Sequence, residues 1–217
     1  LYGEVGDSEK LARVLTTLGS QYLDRGCPEP AEEALVEALR HVDPLGDPRT
    51  ALYIQHNLTL CLAETERYLE AERMFRSTRA LYDRFPDRVT RLRARWLEGI
   101  LAAGTGRAAH AEQLLTAVQD EFLQQELPYD SALAGLERAA LYARLGRTAD
   151  VRRLATELAP VFFSYKLERD AVAAVAFFVQ AAERDRATIE TIRKVSRFLK
   201  RVQVEPSARF DPTGTGS

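Results

Sequence analysis

The chain is poor in cysteine, methionine, tryptophan and lysine, and each shortage narrows what it can be. Two cysteines, Cys27 and Cys61, cannot build a disulfide framework, and so small a number fits a reducing compartment. No apolar run reaches the roughly 18 residues of a membrane-spanning helix, so no membrane partner is expected. A formal net charge of −2 over 217 residues speaks against wholesale binding of polyanions. No charged-then-apolar leader opens the chain, which reads as cytoplasmic. It starts at Leu1 rather than Met, and we expect a fragment or a processed form.

Catalytic signatures are missing too. HExxH, G-x-x-x-x-G-K-[ST] and G-x-S-x-G do not occur. His41, His56 and His110 share no metal-ligand spacing with either cysteine. Gly104-Thr105-Gly106 lacks the Lys-Ser/Thr of a phosphate cradle and reads as a hairpin turn. Glu32, Glu33, Glu70 and Glu72 fall at helix starts or exposed faces, where they complement the helix dipole. Asn57-Leu58-Thr59 matches a glycosylation sequon but falls in mid-helix, so it reads as accidental. The expectation is a protein that is not an enzyme and carries no metal or cofactor.

What the sequence does hold is a period. Gly19, Thr59, Gly99, Ala139 and Val179 recur every 40 residues. So do Ala31, Ala71, Ala111, Val151 and Thr191, and so do Gly26, Glu66, Gly106, Gly146 and Arg186. Each repeat reads as two amphipathic helices. In the first repeat, Leu11, Val14, Leu15, Leu18 and Tyr22 supply one apolar stripe. Gly26 stops that helix, Pro30 suits the first turn of the next, and Ala31, Ala34, Leu35, Ala38 and Leu39 line its buried side. Later helix pairs are expected at Leu52–Ala63 with Tyr68–Tyr82, Val89–Ala103 with Ala108–Leu123, Ser131–Leu145 with Thr148–Phe163, and Arg169–Glu183 with Thr188–Val202. Pro160, inside the last turns of its helix, predicts a bend or an early stop.

Small residues at the Gly19 and Ala31 rows let helices approach closely. With Leu18-Gly19, Tyr22, Gly26, Ala31, Leu35 and Ala38 in the first repeat, and Leu58, Leu62, Tyr68, Ala71 and Phe75 in the second, the pattern resembles the tetratricopeptide repeat. Gly99, Gly106, Ala111 and Leu115, then Ala139, Tyr142 and Gly146, continue it. The period departs from the family's usual length of about 34 residues, and the fifth repeat reads as a capping pair. Longer repeats of this kind resemble helical scaffold or sensor regions of bacterial regulatory proteins. The resemblance implies an all-α fold, a right-handed superhelical solenoid of about five antiparallel helix hairpins. It divides the chain into a repeat domain over 1–203, with repeats near 8–45, 48–85, 87–126, 129–165 and 167–203, and an extended or disordered tail over 204–217.

A solenoid of that type binds partners on a concave face lined by the first helix of each repeat. The resemblance places Arg13, Thr16 and Ser20, then Tyr53, His56 and Leu60, Arg93, Trp96 and Ile100, and Leu133, Leu136 and Ala140 on it. Aromatic residues beside arginine are the types that concentrate binding energy at interfaces. The expected partner is therefore a protein or peptide, and the alternative is a ligand-sensing domain of a larger regulator. Residues 84–107 carry a local charge of +4 and 184–209 carry +5, whereas the first 37 residues carry −5. Nucleic-acid binding through the basic faces is the weaker reading, because Phe198 alone interleaves the last basic helix. Association of like chains through the last helix pair is a further option. Phe210 is expected to anchor the start of the tail against the final helix.

Overall fold

A computed structural model describes residues 2–164 and 168–212, with side chains over 8–160 and 168–212. These residues form ten α-helices and no strand. In chain order they are α1 (Tyr2–Asp24), α2 (Pro28–His41), α3 (Pro48–Glu64), α4 (Tyr68–Asp83), α5 (Arg88–Gly104), α6 (Ala108–Gln124), α7 (Pro128–Arg144), α8 (Thr148–Ser164), α9 (Arg169–Glu183) and α10 (Ile189–Val204). Successive helices pack on one another within each of two compact units, residues 1–107 and 108–217. The boundary falls inside the third sequence repeat, where the period itself shows no break.

The 40-residue period is a period of helix stops. Gly26, Glu66, Gly106 and Gly146 all adopt positive φ, between 61° and 79°. At each stop the following residue donates its N–H to a carbonyl five residues back: Cys27 to Tyr22, Arg67 to Leu62, Arg107 to Ala102 and Arg147 to Tyr142. This is the left-handed closure of a helix C-terminus, which satisfies carbonyls that the helix leaves open. In the fifth repeat the left-handed residue is Asp185 rather than Arg186. Helix starts are fixed by equally local means. Asp47, Asp87 and Thr188 accept from the N–H groups of Thr50, Thr90 and Thr191, and Pro28, Pro48 and Pro128 open α2, α3 and α7. Pro160 does not stop its helix, because α8 runs on to Ser164.

A second period is electrostatic. Arg67 pairs with Glu32 at 2.8 Å and Arg147 with Glu112 at 2.8 Å; Arg107 pairs with Glu72 in the same way. Each arginine follows a left-handed residue and reaches the preceding even-numbered helix, 35 residues back. In the fifth repeat the signs are exchanged, with Arg152 beside Asp185 at 3.5 Å.

The two units use this plan differently. In the first, α3 packs on α1, α2, α4 and α5, so the odd-numbered helices lie side by side. Its core holds Ala31, Leu35, Ala38, Ile54, Leu58 and Cys61, continued by Leu62, Ala63, Ala71, Leu97 and Leu101. Close approach depends on Gly19: a Cβ there would stand 2.5 Å from Cγ of the fully buried Leu35. In the second unit α10 turns back onto α7, so α7, α8, α9 and α10 close on themselves. Helix α7 is consequently buried along almost its whole length, from Ser131 to Tyr142.

Of the tail expected over 204–217, residues 205–212 lie back over the same unit, and 213–217 lie outside the described residues. Phe210 stacks 5.0 Å from Phe198 and 5.6 Å from Phe177, which is the anchoring expected of it. Asp170 accepts from the Phe210 N–H at 3.1 Å and from Arg209 at 3.0 Å, and these bonds hold its carboxyl below the usual range. Lys194 donates to the Pro212 carbonyl at 2.9 Å.

Candidate binding site

The stripe expected to bury α1 does so only in part: Leu15 and Tyr22 pack against the core of the unit. Leu11, Val14 and Leu18 are exposed, whereas Ala12 and Gly19 are buried. Among the described residues α1 has only α2 and α3 as neighbours. A helix packed from one side buries one stripe, and here the small residues Ala12 and Gly19 share it with Leu15, Tyr22 and Leu23.

The first-unit positions assigned to a concave face fall on α1, α3 and α5, which adjoin one another. Arg13 is exposed and bonds Asp47, the N-cap of α3, at 2.9 Å. Thr16 spends its hydroxyl on the Ala12 carbonyl of its own helix, 2.6 Å away. Ser20 accepts from Asn57 at 2.8 Å, tying α1 to α3. Tyr53 and Arg93 are exposed; His56, Leu60, Trp96 and Ile100 are half-buried. Leu60 and Ile100 rest on the same core cluster around Leu97 and Leu101. The His56 imidazole meets the Tyr82 hydroxyl at 2.6 Å. Withdrawal from water, and next the charge of Arg93, lower its pKa from 6.5 to about 4. His56 is thus neutral near pH 7, and the cations offered on this face are arginines.

The corresponding positions of the second unit behave otherwise. Leu133, Leu136 and Ala140 are buried, because α7 is the helix that α6, α8 and α10 surround. The family-derived placement of these three on an open groove is therefore corrected: within this unit they are core.

Chemically suggestive groups elsewhere reduce to structure. Ser8 Oγ lies 3.2 Å from His41 Nδ1, and His41 Nε2 lies 3.0 Å from Glu37, a serine–histidine–carboxylate chain. It sits at the C-terminal end of α2, where carbonyls rather than N–H donors point outward, so the helix end offers nothing to stabilise an oxyanion. Gly104-Thr105-Gly106 is the stop of α5, again the carbonyl end of a helix, with Thr105 bonded to Leu101. Cys61 is buried and its thiol is pushed up to about 12, away from reactivity. Asn57, the sequon residue, lies mid-helix with its amide already bonded to Ser20. Among the described residues no three His, Cys, Asp or Glu side chains gather as metal ligands, and no helix is long and apolar enough to cross a membrane.

Sequence reasoning missed the Ser20–Asn57 and His56–Tyr82 pairs, which join residues 37 and 26 positions apart. It also missed the Arg–Glu ladder, although its signal was in the sequence: Arg67, Arg107 and Arg147 stand 40 apart, as do Glu32, Glu72 and Glu112.

No family model, curated protein or solved structure matches this chain.

Proposed function

We propose that the chain is a non-catalytic, tetratricopeptide-like module that binds a protein or peptide on the α1–α3–α5 face of its first unit. The observation that carries this reading is the composition of that face. Exposed Tyr53 and Arg93 stand with half-buried Trp96, Leu60 and Ile100 on adjoining helices, beside a histidine kept neutral. Half-buried aromatic and aliphatic side chains beside an exposed arginine offer apolar area at small ordering cost, with a directional donor at the edge. The solenoid reading rests on the 40-residue recurrence of helix stops and on the lateral packing of α1, α3 and α5. The α10–α7 closure marks where the second unit departs from a plain stack.

Selection of a displayed peptide library on the immobilised chain tests the assignment. Selected peptides should lose about tenfold or more in affinity on Trp96→Ala or Arg93→Glu, with the helical circular dichroism spectrum retained. Peptides indifferent to both substitutions would place the binding surface elsewhere.

A further inference from the structure

Between α4 and α5 of the first unit lies a cavity of about 250 Å³, on residues other than those of the face above. Its apolar wall is formed by Phe75, Tyr82 and Pro86, and Arg79, Arg91 and Arg95 stand around it. Phe75 and Tyr82 pack ring on ring at 5.7 Å, and Tyr82 is fixed from behind by His56 at 2.6 Å. The wall is therefore preset.

The volume falls below the range of roughly 300–1,000 Å³ typical of small-molecule sites, and suits one large side chain. The charge around it has a direction. Arg88, Arg91 and Arg95 are exposed and follow one another at spacings of 3 and 4 from the first residue of α5, on one helix face, and exposed Arg84 caps the end of α4. No acidic residue occupies the first turn of α5; Asp87, its N-cap, precedes it. Arg79, Arg91 and Arg95 outnumber the carboxylates of the lining, so the cleft as a whole is positively charged.

We propose that this cleft is a docking site for an acidic peptide segment that inserts one aromatic side chain against Phe75, Tyr82 and Pro86 while its carboxylates meet the α5 arginines. Asp83 and Glu98 also line the cleft, and they decide between polyanions. A continuous phosphate backbone would pass these carboxylates, whereas a peptide sets its acids apart along the chain. The site shares no lining residue with the α1–α3–α5 face, to which it is joined through the Tyr82–His56 contact, and it does not depend on the partner proposed there.

The test uses the whole chain and a labelled peptide of glutamates with one central phenylalanine, followed by fluorescence anisotropy at low salt. Binding should weaken at least about tenfold when alanine replaces the phenylalanine, and again on Arg91→Glu with Arg95→Glu. Trp96→Ala should leave it unchanged. Arg88→Glu separates docking from folding: it should hold or raise the melting temperature, by adding an acid to the helix start, while weakening the peptide. Affinity that ignores the phenylalanine, or that survives Arg91→Glu with Arg95→Glu, overturns the proposal. So does a single-stranded RNA that binds more tightly than the peptide with the same arginine dependence, since the cleft would then be a nucleic-acid site.

Discussion

The hydroxyl of Tyr82 on α4 lies 2.6 Å from Nδ1 of His56 on α3, with the two rings edge to face at 6.1 Å. The contact joins a residue of the proposed peptide face to the wall of the α4–α5 cleft, and burial keeps its imidazole uncharged. His56 titrates at about 4 in the fold against an ordinary 6.5. Above pH 6.5 the residue is neutral in both folded and unfolded chains, and its contribution to stability is fully present. As the pH falls from there towards about 4, the unfolded chain takes up the proton first, so stability declines, by about 3 kcal/mol. Urea unfolding across this window should show the loss in the native chain, and His56→Gln should flatten that part of the profile. An unchanged slope in His56→Gln would assign the pH dependence to other groups.

The left-handed stops give a reciprocal pair of substitutions. Gly106 (φ 79°) has open space where a Cβ would be, so Gly106→Ala introduces backbone strain without a clash. It should cost about 1 kcal/mol. Glu66 occupies the same turn position one repeat earlier with φ 61°, and Glu66→Gly should gain about 0.5–1 kcal/mol. Thermal melts of the two variants should move in opposite directions; shifts of the same sign would contradict the equivalence of the turns.

Glu112 holds together a partly buried network in the second unit. It accepts from Arg147 at 2.8 Å and from the Tyr142 hydroxyl at 2.8 Å, and these bonds, Arg147 foremost, lower its pKa. Arg138, about nine-tenths buried, donates to that same tyrosine oxygen at 3.2 Å and to Gln119 at 2.7 Å. Glu112→Gln preserves the shape but removes one of the two carboxylates of the network, leaving Asp150 with Arg147 at 2.7 Å, and should cost about 1–2 kcal/mol. Arg138→Met in that background should recover part of the loss, because it withdraws a buried charge whose compensation has been reduced. A double-mutant cycle with no coupling between the two sites would show that the network is not energetically connected.

The sequence by itself determined where helices begin and end. Those signals are local: a glycine that enters the left-handed region without a Cβ clash, an aspartate that caps an N–H, a proline whose missing N–H is harmless in a first turn. Observed boundaries accordingly lie within a few residues of those read from the period, with α9 at Arg169–Glu183 in both. Tertiary structure alone decided which apolar faces are covered and by what. The period showed that α10 has a face to bury, but not that it would return to α7 and make core of Leu133, Leu136 and Ala140. Nor did it show that Leu11, Val14 and Leu18 would remain in water while Ala12 and Gly19 were buried. A helix's periodicity is a property of its own residues, whereas burial depends on a neighbour brought in from far along the chain.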